Sequence, residues 1–217
     1  MIQSSISVAL IRPLIDAVSS KAPATEPESA IDVRLIKLLK DPDARISMQD
    51  ADELINSLVR TSRSNSLCVF SAQKAVTQSS CQLQHLFLCS NTLREALYYL
   101  EKYSALLSDN LEVNVTRTRD NIIKIKLPVS EQSFLSQERY RSELLIGIIL
   151  GWIKQLCGTD MEINGIDLPF PQPSYSADYS HLWKTNITFN SIECSIQFQA
   201  RYLDQGLHNT NPHILNM

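Results

Sequence analysis

The spacing of hydrophobic residues divides the chain into two parts near residue 108. Up to that point apolar residues recur at intervals of three and four, and beyond it many alternate with polar residues. The first spacing is typical of amphipathic helices and the second of half-buried strands. The sequence therefore predicts one domain over residues 1–217, with a helical part at about 1–107 and a sheet-rich part at about 108–207.

Six helices are predicted in the first part. They cover Ser4–Ser20, Glu28–Leu39, a segment capped by Ser47, Ser66–Val76, Cys81–Cys89 and a segment capped by Thr92. Pro13 is expected to bend or divide the first helix. Asp50 and Glu95 each follow a cap by three residues, which is the spacing of a capping box. One face of the last helix is apolar and should be buried; it carries Leu93, Leu97, Leu100, Ser104 and Leu107.

A hairpin opens the second part of the chain. Leu111–Thr118 and Ile122–Val129 both alternate apolar and polar residues, and Arg119–Asn121 connects them. Asn and Asp tolerate the positive backbone angle that a tight hairpin turn needs. Further elements are predicted as strands at about Met161–Ile166, Ile187–Phe189 and Glu193–Gln199, and a short helix at Ala177–Lys184. This order predicts an α+β fold with an antiparallel or mixed sheet and a central hairpin.

The longest predicted helix is Gln137–Cys157, and its centre, Leu144–Ile153, is apolar on nearly all sides. This centre is much shorter than the roughly 20 apolar residues that cross a bilayer. Charged residues bound it, namely Arg141, Glu143 and Lys154. The sequence therefore predicts a long buried core helix and no membrane span.

Two glycines, Gly147 and Gly151, lie one turn apart on this helix. Glycines at this spacing let a neighbouring helix or strand approach the backbone closely, although the motif is best known from membrane helices. We expect tight internal packing here, and a dimer interface is the alternative.

Composition and charge restrict the function. Hydrophobic residues make up 44% of the 217 positions, which is enough for a well-buried core. The formal net charge is -3 and the pI is about 5.8. Because affinity for nucleic acid depends chiefly on clustered Lys and Arg, we expect that this chain does not bind DNA by itself.

Cysteine usage and the N-terminus indicate a cytoplasmic protein. The five cysteines are an odd number without paired spacing, which argues against a disulfide framework and for a reducing compartment. The N-terminus lacks the pattern of a signal peptide, since Arg12 and Pro13 interrupt its apolar run.

The sequence predicts neither a metal site nor an active site. Cys81, His85 and Cys89 recur every four residues, a spacing at which they could share a metal ion on one side of a helix. A fourth ligand is not evident, and cysteine is commonly a small core residue, so the structural interpretation is favoured. No phosphate-binding loop, nucleophile motif or zinc motif is present. We therefore predict no catalytic residues and no cofactor.

Four segments of the chain, taken in order, resemble one protein family. They are Asp41–Ile46, Leu86–Leu93, Leu106–Asp109 with the hairpin that follows, and Ile187–Asp204. Together they resemble the N-terminal effector-sensing, arabinose-binding-like domain of AraC/XylS-type transcription regulators. The resemblance implies an unknown small-molecule effector, allows a homodimer, and assigns DNA contact to a C-terminal helix-turn-helix module that is not present here.

The residues that would bind the effector are predicted from their aromatic side chains. The candidates lie on predicted inner faces or replace an aromatic position of the family, and they are His85, Tyr99, Tyr103, Trp152 and Tyr202. Pockets for small molecules are mainly apolar with a few orienting polar groups, which amphipathic aromatic residues can supply. Ordinary core packing is the alternative for each residue. The alternative for the whole chain is a protein-protein interaction domain that binds no ligand.

Overall fold

The computed structural model describes residues 4–21, 41, 43–78, 81–127 and 136–204. Within these residues, seven helices and two sheets form an α+β fold, which confirms the predicted fold class. The predicted helix Glu28–Leu39 lies outside the described residues. The helices are α1 Val8–Lys21, α2 Met48–Ser62, α3 Leu67–Gln78, α4 Gln82–Leu88, α5 Leu93–Tyr103, α6 Ser136–Cys157 and α7 Ser176–Trp183.

The five-stranded sheet is mixed. Its strands are β3 Asn114–Arg117, β4 Ile122–Leu127, β5 Ile163–Asp167, β6 Ile187–Thr188 and β7 Cys194–Gln199, in the order β3-β4-β7-β5-β6. Only the β5–β6 pair is parallel among these described strands. Asn121 has a φ of 59° in the β3–β4 turn, as the sequence predicted for a tight hairpin. The first strand of the hairpin, β3, begins at Asn114 rather than at Leu111, where the sequence predicted its start.

A second, two-stranded sheet was not predicted. It pairs β1, Ser5–Ser7, with β2, Arg45–Ser47. The predicted first helix was therefore wrong at its start, because Ser5–Ser7 finds an antiparallel partner about 40 residues along the chain that no local pattern reveals. The helix itself continues through Pro13.

Arg45 connects this small sheet to the segment that follows α5. Its Nε donates to Ser5 Oγ at 2.8 Å and its Nη2 donates to Asp109 Oδ1 at 2.6 Å. Asp109 Oδ2 also accepts from the backbone N–H of Ser5 at 2.7 Å. These hydrogen bonds, led by those from Ser5, hold the pKa of Asp109 below its usual value. Two of the four segments that resemble the regulator family thus meet at one polar cluster.

Helix α6 is the core helix that the sequence predicted. Its apolar residues from Leu144 to Leu156 are buried, apart from the half-buried Leu145. A Cβ atom at Gly147 would lie 2.2 Å from the Cβ of Ala72 on α3, and 3.8 Å from Nε1 of Trp183. The predicted tight internal packing is therefore confirmed at Gly147. Among the described residues, no helix is long and apolar enough to span a membrane.

Glu143 is buried on the same side of α6, four residues before Gly147. It directly precedes the apolar run in the sequence, and its exposure of 0% places it in the core with that run. Its Oε1 accepts hydrogen bonds from the hydroxyls of Tyr175, at 2.7 Å, and Tyr179, at 2.6 Å. Burial raises the pKa of Glu143 to about 7, even though both tyrosines and the nearby Arg139 favour its ionised form.

Replacing Gly147 with alanine should destabilise the fold. The new methyl group would overlap with Ala72, and overpacking of a core costs about 1–3 kcal/mol. At a separation of 2.2 Å the cost should lie in the upper part of this range, and it then exceeds the gain of about 1 kcal/mol in helix propensity. Urea unfolding followed by circular dichroism measures the change. Gly151→Ala adds the same group at a half-buried position of α6 and is the matched control. Equal stability of the two variants would contradict the close approach at Gly147.

Glu143 should make the stability depend on pH. Its pKa of about 7 in the folded protein exceeds the ordinary value of 4.5, so the folded state binds this proton more tightly. The contribution is fully present below pH 4.5 and is lost as the pH rises to 7, by roughly 3 kcal/mol. In Glu143→Gln the free energy of unfolding, measured with urea, should lack this part of its dependence on pH. The control Glu112→Gln removes an exposed carboxylate and should keep the pH dependence of the parent. An unchanged pH dependence in Glu143→Gln would refute the assignment to Glu143.

Candidate functional site

Two of the five predicted effector residues, Tyr99 and Tyr103, lie together on α5. Their rings stack with centroids 6.3 Å apart. The hydroxyl of Tyr99 donates to Glu95 Oε1 at 3.2 Å, and this hydrogen bond to a carboxylate raises the pKa of Tyr99. The Nζ atom of Lys102 lies 5.3 Å from the ring centroid of Tyr103. The pair therefore forms a half-buried polar and aromatic surface along α5.

The other three predicted residues lie on other elements of the fold. His85 is exposed on α4, and Trp152 is buried on α6 with its ring 5.7 Å from that of Phe87. Tyr202 is half-buried near the end of the described chain, where its hydroxyl accepts from the backbone N–H of Glu162 at 3.3 Å. None of the five residues lines either of the two pockets described below. Contact of these five residues with an effector stays a prediction.

Cys81 has a structural role in the segment that was considered as a metal site. Its Sγ accepts from the backbone N–H of Gln84 at 3.4 Å and so caps α4. Burial raises the pKa of Cys81, which favours the neutral thiol over the thiolate that binds metals. His85 and Cys89 are exposed. This geometry supports the structural interpretation of Cys81.

One pocket lies between α7 and β6 and has a volume of about 410 Å³. Its lining consists of uncharged residues, namely Gln172, Ser176, Ala177, Ser180, Thr185, Asn186, Ile187 and Phe189. Hydroxyl and amide groups of this kind can exchange hydrogen bonds with a neutral polar molecule. No buried charge or perturbed titratable group contributes to its lining.

A second pocket of about 200 Å³ lies between α5 and the β3–β4 hairpin. We call it the α5–hairpin pocket. It combines an apolar interior with charged groups, and its lining consists of Arg94, Leu97, Tyr98, Glu101, Val115, Thr116, Arg117, Ile123 and Leu203. A concave, apolar site with a few polar groups is the usual form of a small-molecule site, although this one is smaller than the common range of about 300–1,000 Å³.

The start of α5 determines how its side chains face this pocket. Thr92 Oγ1 accepts from the N–H of Glu95 at 3.1 Å, which confirms the predicted cap. Glu95 Oε2 reaches back to the N–H of Asn91, at 2.8 Å, one residue earlier than in a standard capping box. Four residues of α5 at i, i+3, i+4 and i+7 then form one stripe along the pocket, namely Arg94, Leu97, Tyr98 and Glu101.

Arg94, which lines the α5–hairpin pocket, forms an ion pair with Asp204. Arg94 Nε donates to Asp204 Oδ1 at 2.8 Å, and Nη2 donates to Asp204 Oδ2 at 2.7 Å. This two-point geometry lowers the pKa of Asp204, chiefly through the hydrogen bonds and the charge of Arg94, with a further contribution from the charge of Arg117. The carboxylate of Asp204 therefore lies in the field of both guanidinium groups.

The hairpin supplies the opposite side of the pocket. Arg117 donates from Nε and Nη2 to Asn121 Oδ1, at 3.3 and 2.9 Å. The carbonyl of Asn121 accepts from the N–H of Ala200 at 2.8 Å, which attaches the 3-10 segment Ala200–Asp204 to the turn. Glu101 Oε1 accepts from the N–H of Val115 at 3.0 Å. Hairpin, helix and 3-10 segment are thus joined around one cavity.

None of the charged residues that line this pocket was among the residues predicted from the sequence. The stripe on α5 had a detectable signal, because Arg94, Tyr98 and Glu101 share a helical face beside Leu97. No signal in the sequence placed Arg117 and Leu203 at the pocket. Their positions there depend on the β4–β7 register and on the 3-10 segment after β7.

Comparison with known proteins identifies the family of this fold. The model of the arabinose-binding N-terminal domain of AraC transcription regulators matches residues 31–207. The crystal structure of the transcriptional regulator CdpR from Pseudomonas aeruginosa is similar with a TM-score of 0.63 and 14% identity. This likeness covers 94% of the present chain and 58% of the CdpR chain, and it shows a shared fold. No curated protein sequence matches the chain. The chain belongs to the family of arabinose-binding N-terminal domains of AraC transcription regulators.

Proposed function

We propose that this regulatory, ligand-sensing domain binds a small-molecule effector in the cytoplasm and controls a helix-turn-helix module located outside residues 1–217. The observation that carries the proposal is the family match over residues 31–207. The net charge of -3 supports the assignment of DNA contact to another module, because a DNA-binding surface needs clustered positive charge. The chain spans 58% of the CdpR length, which leaves room in such a regulator for a second module.

The proposed mechanism is a shift between two arrangements of the domain. An effector that binds one arrangement better than the other changes their populations by its difference in affinity. In a homodimer, such a shift changes how two DNA-binding modules are spaced. The α5–hairpin pocket suits this mechanism because Leu203, in its lining, belongs to the 3-10 segment from which the chain continues beyond residue 204.

The family is one of regulator domains and not an enzyme class, and the one carboxylic acid with a strongly raised pKa among the described residues lines neither pocket. Glu143 is 0% exposed and is absent from the linings of the two pockets. A general acid or base must come within hydrogen-bonding reach of its substrate. Its tyrosine hydrogen bonds instead connect α6 with α7 and the residue that precedes it.

Native mass spectrometry of the purified chain tests the proposal. We expect the mass of a dimer carrying a small organic molecule that is released by mild denaturation. Fusion of the chain to a DNA-binding module that acts only as a dimer provides an independent readout of self-association in cells. A ligand-free monomer in the mass spectrum, together with no self-association of the fusion, would contradict the proposal and favour the interaction domain without a ligand.

A further inference from the structure

The charges of the α5–hairpin pocket favour an anionic ligand. Two of its lining residues, Arg94 and Arg117, are cationic, and one, Glu101, is anionic. Glu101 already uses one carboxylate oxygen to accept from the backbone N–H of Val115. Arg117 donates to the neutral amide oxygen of Asn121, which does not compensate its charge. The surplus positive charge of the lining therefore suits a carboxylate, which guanidinium groups bind in a fork geometry.

The interior of the pocket favours an apolar body for this ligand. Leu97 and Ile123 are each 2% exposed, and Leu203 is 5% exposed, so they form a hydrophobic wall below the charged rim. A volume of about 200 Å³ limits the ligand to a small molecule. A short aliphatic or single-ring carboxylic acid has the required shape and charge.

Asp204 already occupies the position that a ligand carboxylate would take. Its two carboxylate oxygens accept separately from Nε and Nη2 of Arg94, and its side chain is 65% exposed. Exposed ion pairs contribute little to stability because water and salt screen them. A carboxylate held by an apolar body inside the pocket is therefore able to compete with Asp204 for Arg94.

We propose that the α5–hairpin pocket binds a small amphipathic carboxylate, and that this ligand displaces Asp204 from Arg94 and releases the 3-10 segment Ala200–Asp204. The inference rests on the proposed sensing function and adds its site, its ligand class and its output. Leu203 lines the pocket, Asp204 pairs with Arg94 of the lining, and the chain continues from these two residues toward Met217. Occupancy of the pocket is thereby converted into a change at the segment that leads to the next module.

Ligand-observed NMR titrations of the full chain test the ligand class. The probes are hexanoate and phenylacetate, each paired with its neutral amide, hexanamide or phenylacetamide. We expect each carboxylate to bind about tenfold more tightly than its amide, because hydrogen bonds to a charged group are stronger than neutral ones. Binding no tighter than that of the amides, or no binding of either carboxylate, would overturn the inference. Native mass spectrometry tests the sensing function separately, because a neutral molecule that copurifies with the chain would support sensing even if no carboxylate binds.

Three variants test the competition for Arg94. Arg94→Gln should weaken hexanoate binding by about tenfold, whereas Asp204→Asn should strengthen it because the internal competitor is lost. Arg60→Gln removes an exposed arginine of α2 that lies outside both the pocket lining and the 3-10 segment, and it should bind as the parent does. Unchanged binding in Asp204→Asn would overturn the competition. Circular dichroism melts verify that each variant is folded.

Hydrogen exchange tests the release itself. Amide exchange within Ala200–Asp204 should become faster when hexanoate saturates the parent chain. In Asp204→Asn exchange should already be faster without the ligand, because the ion pair with Arg94 is lost while the hydrogen bond between Ala200 and Asn121 remains. Slower exchange on ligand binding would mean that the segment is held more tightly, and would overturn the release.

Discussion

The close approach of α3 to α6 at Gly147 is the constraint on which the helical core depends. Only a residue without a Cβ atom fits there, since a Cβ would lie 2.2 Å from that of Ala72. The same side of α6 carries Glu143, which binds the hydroxyls of Tyr175 and Tyr179. One face of α6 therefore determines both the distance to α3 and the position of α7. A dense interior transmits such a constraint because it has few voids to absorb a shift.

The α5–hairpin pocket depends on contacts at both ends of α5. At the start, Thr92 caps the helix and sets the stripe that faces the cavity. Beyond its end, Asp109 is held by Ser5 and Arg45, so the segment between α5 and the hairpin is attached to the small N-terminal sheet. The pocket is thus a product of sequence regions far apart in the chain.

Local signals allowed much of the fold to be predicted from the sequence. The Ser47 and Thr92 caps, the buried face of α5 and the turn at Asn121 each depend on residues within a few positions of one another. The strand β1, the burial of Glu143 and the pocket depend on partners distant in sequence. A lone glutamate beside an apolar run looks the same whether it meets solvent or two tyrosines, so the sequence pattern did not distinguish these cases.

The polar interactions at Glu143 and Arg94 differ in exposure, and this difference fits a structural role for Glu143 and the proposed sensing role for Arg94. Glu143 is enclosed, and separating it from its tyrosines would leave a buried polar group unsatisfied, which is costly. Arg94 and Asp204 are exposed, so water replaces either partner at little cost. A sensor needs a contact that a small ligand can replace without unfolding the domain. The exposed pair has this property and the buried carboxylate does not, which favours a switch at the surface over one in the core.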